Sequence, residues 1–354
     1  MLVIEKVSHQ FGLHQVLNNV SLQSVGGEVT CLIGHSGCGK TTLLRLLAGL
    51  LRVQNGRILL DGEVLASQTK MLSPEERPIG MVFQEGALFP HMSVADNVAF
   101  GLSKRGARKR ATEWLKRVGL ADFAGRNPDS LSGGQRQRVA LARAMAPEPR
   151  VLLFDEPFAN LDAPLRRALR DDARRIIRDT GTVGLFVTHD PAEVLMMADN
   201  VAVLERGLIV ESGTPQALYD RPESQFAAEL FGEPQVFEGT IYEDRIITPL
   251  GEWERCALVD SAASNGEALL VVDADRLELR PDDNGIMITN IQSFGRLNRV
   301  SFDGTRGELT VILNWPKDAG TSIGVGSMVR VVPKPGAVFA SPCSVVKEND
   351  SHYY

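Results

Sequence analysis

The chain has 354 residues, of which 44% are hydrophobic and 23% charged, and its formal net charge is −6. One hydrophobic core rarely grows past about 250–300 residues, so two domains are expected, and the mild acidity excludes a global pull toward nucleic acid or anionic lipid. No apolar stretch approaches the roughly 18–20 residues of a membrane-spanning helix, and Met1-Leu2-Val3-Ile4-Glu5-Lys6 reads as a strand without signal-peptide layout, so a cytosolic protein is expected.

The first forty residues pattern as β structure, with alternation over 2–7, a second run over 16–22 and a Gly26-Gly27 turn. Val29-Thr30-Cys31-Leu32-Ile33 then reads as a buried strand feeding Gly34-His35-Ser36-Gly37-Cys38-Gly39-Lys40-Thr41, which fits the phosphate-binding pattern G-x-x-x-x-G-K-[ST]. In such a loop, backbone N–H groups and the following helix N-terminus face the phosphates. Lys40 is expected on the β- and γ-phosphates, and the Thr41 hydroxyl on Mg²⁺. Leu43, Leu44, Leu46, Leu47 and Leu50 make the next helix apolar on nearly every side, so it is expected to be buried. Asn55-Gly56 and Asp61-Gly62 are turn dipeptides around Ile58-Leu59-Leu60 and predict a small hairpin. Cys31, Cys38, Cys256 and Cys343 lack metal-ligand spacing and read as reduced thiols. Cys38 lies inside the loop, where an alkylated sulfur would obstruct nucleotide sterically.

Gln84 follows the apolar Met81-Val82-Phe83, and residues 93–146 read as mostly helical, with Ser93 and Asp96 as a capping box. The basic runs Lys104-Arg105 and Arg108-Lys109-Arg110 in that stretch are read as solvated helix faces or loops, with phosphate or lipid contact as the lesser alternative. Leu131-Ser132-Gly133-Gly134-Gln135 precedes an Ala/Arg/Leu-rich helix. Ser132 and the glycines are expected to leave its N-terminus bare, with free donors and the positive dipole end exposed. The plain alternative is a routine Ser-Gly cap. Because the chain already holds one complete phosphate loop, a second phosphate-binding helix end implies a second, facing subunit.

Val151-Leu152-Leu153-Phe154 ends in Asp155-Glu156. Carboxylates at a strand's C-terminal edge lie where α/β sheets bind ligands. Asp155 is therefore expected to support Mg²⁺ and Glu156 to polarise the attacking water, against the alternative of a strand that merely ends in charge. A charged helix over 165–179 separates this strand from Gly184-Leu185-Phe186-Val187-Thr188, a βαβ pattern that predicts a parallel sheet. His189 follows its strand as Gln84 follows its own; His189 is expected on the γ-phosphate, Gln84 on Mg²⁺ and water. Residues 201–204 and 208–211 read as a closing hairpin. Around Phe231-Gly232-Glu233-Pro234 the character changes to short β-like runs at 246–248, 268–272, 286–291, 309–313 and 329–332, which suggest a small barrel or sandwich. The expected domains are 1–235 and 236–354.

Taken together these motifs resemble an ATP-binding cassette (ABC) ATPase: Walker A at 34–41, Gln84 as Q-loop, the signature at 131–135 and Walker B at 151–156. Ala159-Asn160-Leu161-Asp162 resembles the D-loop and His189 the switch histidine. The resemblance covers roughly 1–235 and implies an α/β P-loop NTPase with a helical subdomain. Glu278-Leu279-Arg280-Pro281-Asp282 resembles the small all-β, OB-like transport-associated domain of importer ATPases in the maltose, sulfate, polyamine and ferric-iron branch. ATP and Mg²⁺ are the implied cofactors. The implied catalytic residues are Glu156, His189 and Gln84. Phe11, Gly34, His35, Ser36, Gly37, Cys38, Gly39, Lys40, Thr41, Thr42 and Asp155 would bind ATP. Ser132, Gly133, Gly134 and Gln135 would face the ATP of a second copy. Thr41 and Gln84 would hold Mg²⁺, with Asp155 acting on it from the outer coordination sphere.

The implied assembly is a homodimer closing head to tail on two ATP molecules at the cytoplasmic face of a bacterial inner membrane. Its closure would move integral membrane permease subunits, served indirectly by a periplasmic solute-binding protein; no nucleic acid is implied. Leu88, Phe89 and Met92 are expected either to line the groove for the permease's coupling helix or to be core of the helical subdomain. Phe11 stands where Tyr usually stacks on adenine, His35 where Pro or Ala is usual, and Ala159 where Ser is frequent. None of these removes a catalytic group; adenine selectivity is the property they touch. The implied function is the motor of a solute importer. Alternatives are an ABC ATPase of DNA repair or translation, usually marked by coiled-coil insertions or two cassettes, and an exporter, often fused to membrane helices. The β domain could also be chiefly regulatory. Ser212-Gly213-Thr214-Pro215-Gln216-Ala217-Leu218-Tyr219 and Phe231-Gly232-Glu233-Pro234 most resemble ferric-ion importer ATPases, with sulfate and polyamine importers as competitors.

Overall fold

The computed structural model describes residues 1–83, 87–103, 105–158, 161–232, 234–260, 263–294, 297–304, 307–314 and 323–342. They divide into two units, Met1–Gln216 and Ala217–Tyr354. In the first, β1 (Leu2–Phe11) and β2 (His14–Ser24) form a hairpin, and the wholly buried β3 (Val29–Ile33) runs into α1 (Lys40–Ala48). β4 (Asn55–Leu60) and β5 (Glu63–Ser67) turn on Asp61-Gly62, whose φ angles of 49° and 85° suit a tight hairpin. Asn55-Gly56, by contrast, makes no turn. Gly56, the second residue of β4, lies beside an irregularity in β1, and a Cβ there would stand 2.4 Å from the carbonyl oxygens of Glu5 and Lys6. These four strands form one antiparallel sheet, in the order β2-β1-β4-β5.

The remaining elements of this unit are β6 (Ile79–Val82), α2 (Val94–Ala99), α3 (Ala107–Arg117), α4 (Gly133–Met145), β7 (Val151–Asp155), α5 (Ala163–Thr180), β8 (Val183–Thr188), α6 (Pro191–Met197), β9 (Asn200–Glu205) and β10 (Leu208–Gly213). The second sheet runs β10-β9-β3-β8-β7-β6 and is parallel except for β10. Strands buried on both faces need continuous apolar runs, which is why β3 and β8 are buried along their whole length. The leucines of α1 share one core with Leu2, Ile4 and Ile58 of the antiparallel sheet and Leu32, Leu153 and Leu185 of the parallel one. Helix α1 stops at Ala48 on a left-handed Gly49, so Leu50 falls outside it and is 54% exposed, not buried as the leucine run suggests.

In the second unit α7 (Pro215–Asp220), which spans the division, and α8 (Gln225–Phe231) precede nine strands among the described residues. They are β11 (Pro234–Ile241), β12 (Arg245–Thr248), β13 (Gly251–Glu254), β14 (Gly266–Asp273), β15 (Leu277–Phe294), β16 (Leu297–Gly304), β17 (Gly307–Asn314), β18 (Met328–Pro333) and β19 (Val338–Pro342). Two antiparallel sheets, β13-β12-β11-β14-β19 and β17-β16-β15-β18, enclose a core that includes Trp253, Leu270, Ile288, Phe302 and Val329. The Gln235 amide donates to Ile312 O at 2.7 Å and accepts from Ile312 N at 2.6 Å, joining β11 to the edge strand of the other sheet.

Candidate active site

The phosphate loop joins β3 to α1, and each of its glycines is required for its own reason. A Cβ on Gly34 would stand 2.1 Å from Leu204 O, and one on Gly39 2.7 Å from Val16 O; Gly39 also has φ 110°. Gly37 has φ 83° with open space around it. His35, Ser36 and Gly37 form an exposed crest, while Cys38, Gly39 and Lys40 are buried. The Lys40 ammonium donates to Gly34 O at 2.6 Å and His35 O at 2.9 Å, and lies 3.7 Å from Cys38 Sγ. Burial pushes the Cys38 thiol above its ordinary value against the pull of Lys40, so the sulfur is a poor nucleophile.

Three neighbouring strands of the parallel sheet end together. Ile33 of β3 pairs with Thr188 of β8, and Val187 of β8 pairs with Asp155 of β7. The loop 34–41, His189 and Asp155-Glu156 therefore emerge side by side at one edge, the ligand-binding edge of an α/β sheet. Thr41 Oγ1 is 3.5 Å from Asp155 Oδ1. Burial, and next the charge of Glu156, push the Asp155 carboxyl up, while the Thr41 hydrogen bond, Arg45 and Lys40 hold it down. A hydroxyl and a carboxylate together are the hard oxygen donors that suit Mg²⁺. Glu156 has φ 44°, a strained conformation for a residue with a side chain, and its N–H donates to Val187 O at 3.2 Å. His189 Nδ1 lies 3.1 Å from Glu156 Oε1. Thr42 follows in α1 and is half-buried. Gln84 lies outside the described residues, although β6, which leads to it, pairs with β7 through Val82 and Phe154. Ala159 and Asn160 also lie outside them; Asp162 caps α5 by accepting from Leu165 N at 2.9 Å.

The amino end of α4 is capped, not bare. The Ser132 hydroxyl accepts from Gln135 N at 3.3 Å, and Gln135 Oε1 accepts from Ser132 N at 2.9 Å. A Cβ on Gly134 would meet the Leu165 side chain at 2.4 Å, so this glycine lets α4 pack on α5 within the same chain; Gly133 has 3.5 Å of clearance from Leu161. Phe11 is 50% exposed, with its ring edge-on to His9 at 4.8 Å. It lies at the tip of the β1–β2 hairpin, whose Val16 and Leu17 abut Gly39.

Sequence reasoning missed most of a groove of about 750 Å³ lined by Arg77, Met81, Phe83, Phe89, Phe100 and Arg143, among others. Of Leu88, Phe89 and Met92, only Phe89 is in its lining. Phe83 and Phe100 are 37% and 59% exposed, and the available signal was aromatic residues just beyond the ends of elements. Arg143 donates to Ala87 O at 2.8 Å and lies over the Phe89 ring.

Residues 17–159 match the family described as ABC transporter. The chain is 45% identical over 250 residues to the Fe(3+) ions import ATP-binding protein FbpC of Pasteurella multocida (strain Pm70), covering 69% of this chain and 70% of that one. It is 39% identical over 351 residues to the sulfate/thiosulfate import ATP-binding protein CysA of Caulobacter vibrioides, covering 96% and 99%. Among solved structures, cbiO1 from Clostridium perfringens, part of the ABC transporter complex cbiONQ, matches with TM-score 0.57 at 32% identity, covering 62% of this chain and 90% of that chain.

Proposed function

The chain belongs to the importer branch of the ABC transporter ATPases, and from that premise we propose that its ATP hydrolysis drives ferric-iron uptake through a separate membrane permease. The observation that carries the motor chemistry is the shared edge at which the phosphate loop, Asp155-Glu156 and His189 emerge. The N–H groups of Gly34, His35, Ser36, Gly37, Cys38 and Gly39 and the start of α1 cradle the phosphates, and Lys40 neutralises the β- and γ-oxygens. Glu156 accepts the proton of the attacking water, and His189, whose Nδ1 lies 3.1 Å from Glu156 Oε1, orients that carboxylate beside the γ-phosphate. Thr41 and Gln84 would hold Mg²⁺, with Asp155 acting on it from the outer coordination sphere beside the Thr41 hydroxyl, and the ion would supply neutralisation of phosphate charge. Phe11 stacks on the adenine.

Two copies act together, each presenting Ser132, Gly133, Gly134 and Gln135 to the other's ATP. The cap does not conflict with this role. It uses a lone pair of the Ser132 oxygen and leaves the O–H proton for a phosphate. The groove beside Phe83, Phe89 and Phe100 receives a permease segment from the membrane, so the motor, residues 1–235, works at the cytoplasmic face. A periplasmic solute-binding protein feeds the permease, and residues 236–354 regulate the motor. Iron is the favoured cargo on the likeness at 45% identity; the sulfate relative, similar over nearly its full length, supports the alternative, and polyamine is the third candidate.

Uptake of radiolabelled ferric iron, sulfate and spermidine in cells lacking the gene, restored with wild type or Lys40→Ala, tests the cargo. Iron uptake alone should depend on the wild type; dependence of sulfate or spermidine uptake instead would reassign it. For the motor, Glu156→Gln should retain ATP binding yet lower kcat by about 100-fold or more, since an amide is no base. Turnover surviving that change removes Glu156 from the mechanism.

A further inference from the structure

Behind His189 lies a buried polar cluster that the mechanism above does not use. Thr188, the last residue of β8, is 2% exposed, and Glu193 in α6 is 3% exposed. The Thr188 hydroxyl donates to Glu193 Oε2 at 2.7 Å, and Thr188 Oγ1 itself accepts from Asp190 N at 3.0 Å. Its one proton and one of its lone pairs are thus both committed to residues that follow His189, so the hydroxyl spans the histidine from Thr188 to Asp190. Donation to Glu193 decides which way the hydroxyl points, and so turns a lone pair toward the Asp190 N–H.

The cluster continues outward. Asp190 Oδ1 accepts from Ala192 N at 2.8 Å, and its Oδ2 lies 3.7 Å from Arg166 Nη1 of α5. Arg166 Nη2 donates to Leu161 O at 2.9 Å, so one guanidinium ties the His189 turn to the segment that follows Walker B. The charged groups acting on Glu193 are Asp190, Arg166 and Arg170. A buried carboxyl costs stability unless it is bonded, and this one is spent on a hydroxyl beside the histidine.

We propose that Thr188 and Glu193 are positioning residues that fix the backbone on both sides of His189 and so hold Nδ1 on Glu156. This rests on the roles given above to Glu156 and His189. A misplacement of about 1 Å in such a constellation can cost on the order of 100-fold in rate. In the full-length protein, Thr188→Val and Glu193→Leu should lower kcat for ATP about tenfold or more with KM changed less than about twofold. Thr188→Ser restores the hydroxyl and Glu193→Gln the acceptor oxygen, so both should stay within about threefold of wild type. In a His189→Ala background, Thr188→Val and Glu193→Leu should cost nothing further, because the group they position is gone.

Wild-type kcat in Thr188→Val and Glu193→Leu, or additive losses on top of His189→Ala, would overturn the proposal. So would a loss that Thr188→Ser and Glu193→Gln also show. If the Val and Leu variants do not fold by thermal melting, the Ser and Gln variants and the additivity of Glu193→Gln with His189→Ala decide it. The reading beneath fails separately: turnover surviving both Glu156→Gln and His189→Ala removes the pair itself, whereas loss in those two with none in the Thr188 and Glu193 variants removes only the positioning.

Discussion

Gly37 and Gly39 both have positive φ, 83° and 110°, but only Gly39 also abuts Val16 O and Leu17. The left-handed region costs a residue with a side chain about 1–2 kcal/mol, and forced overlap with backbone about 1–3 kcal/mol more. Gly37→Ala is therefore expected to lower stability by about 1 kcal/mol and Gly39→Ala by about 2–5 kcal/mol, read as chemical denaturation midpoints. Glu193 gives a prediction of a different kind. Burial pushes its carboxyl above the ordinary value, with the Thr188 hydrogen bond opposing. A carboxyl raised on folding contributes stability that is fully present below its unfolded pKa and lost as pH rises through its folded one. Glu193→Gln, which carries no ionisable proton, should remove that falling slope, so its melting temperature gains on wild type as pH rises from about 4.5 toward neutrality.

At the scale of elements, the amino end of α4 combines two demands in one residue. Ser132 caps its own helix and, in the proposed assembly, faces the nucleotide of another copy. Asp is as good a cap as Ser, but its carboxylate would repel a phosphate. Ser132→Asp should keep thermal stability within about 0.5 kcal/mol while ATPase activity falls at least tenfold. Loss of both would mean a purely structural serine, and retention of both would remove the facing-copy role. The turn dipeptides show how much an element's own residues say. Asp61-Gly62 became the hairpin turn its chemistry predicts, whereas the similar Asn55-Gly56 was drawn into a strand opposite the irregularity in β1. The α1 leucines likewise predicted a buried helix, but Gly49 ended it before Leu50.

For the whole molecule, the testable consequence is assembly. Glu156→Gln with MgATP should double its mass by light scattering, while the same protein carrying Ser132→Asp should remain a monomer. A Glu156→Gln mass that ignores ATP despite confirmed binding would leave alignment of the two copies to the permease. Each unit has its own core, one built on the α1 leucines and one on Trp253 and its neighbours. Much of the site was readable along the chain, because phosphate-loop glycines, strand-terminal acids and apolar runs report local chemistry and local periodicity. Those signals were enough for the nucleotide class, the βαβ order and the β-rich tail. They could not say that β3 and β7 both flank β8, since that order joins strands distant in sequence. Nor could they say that Glu156 takes a left-handed backbone, that Gly134 is small for the sake of Leu165, or that Thr188 and Glu193 bracket His189. Each of these depends on which side chains are packed together from separate elements, and that is decided only when the two sheets close on α1 and set every register at once.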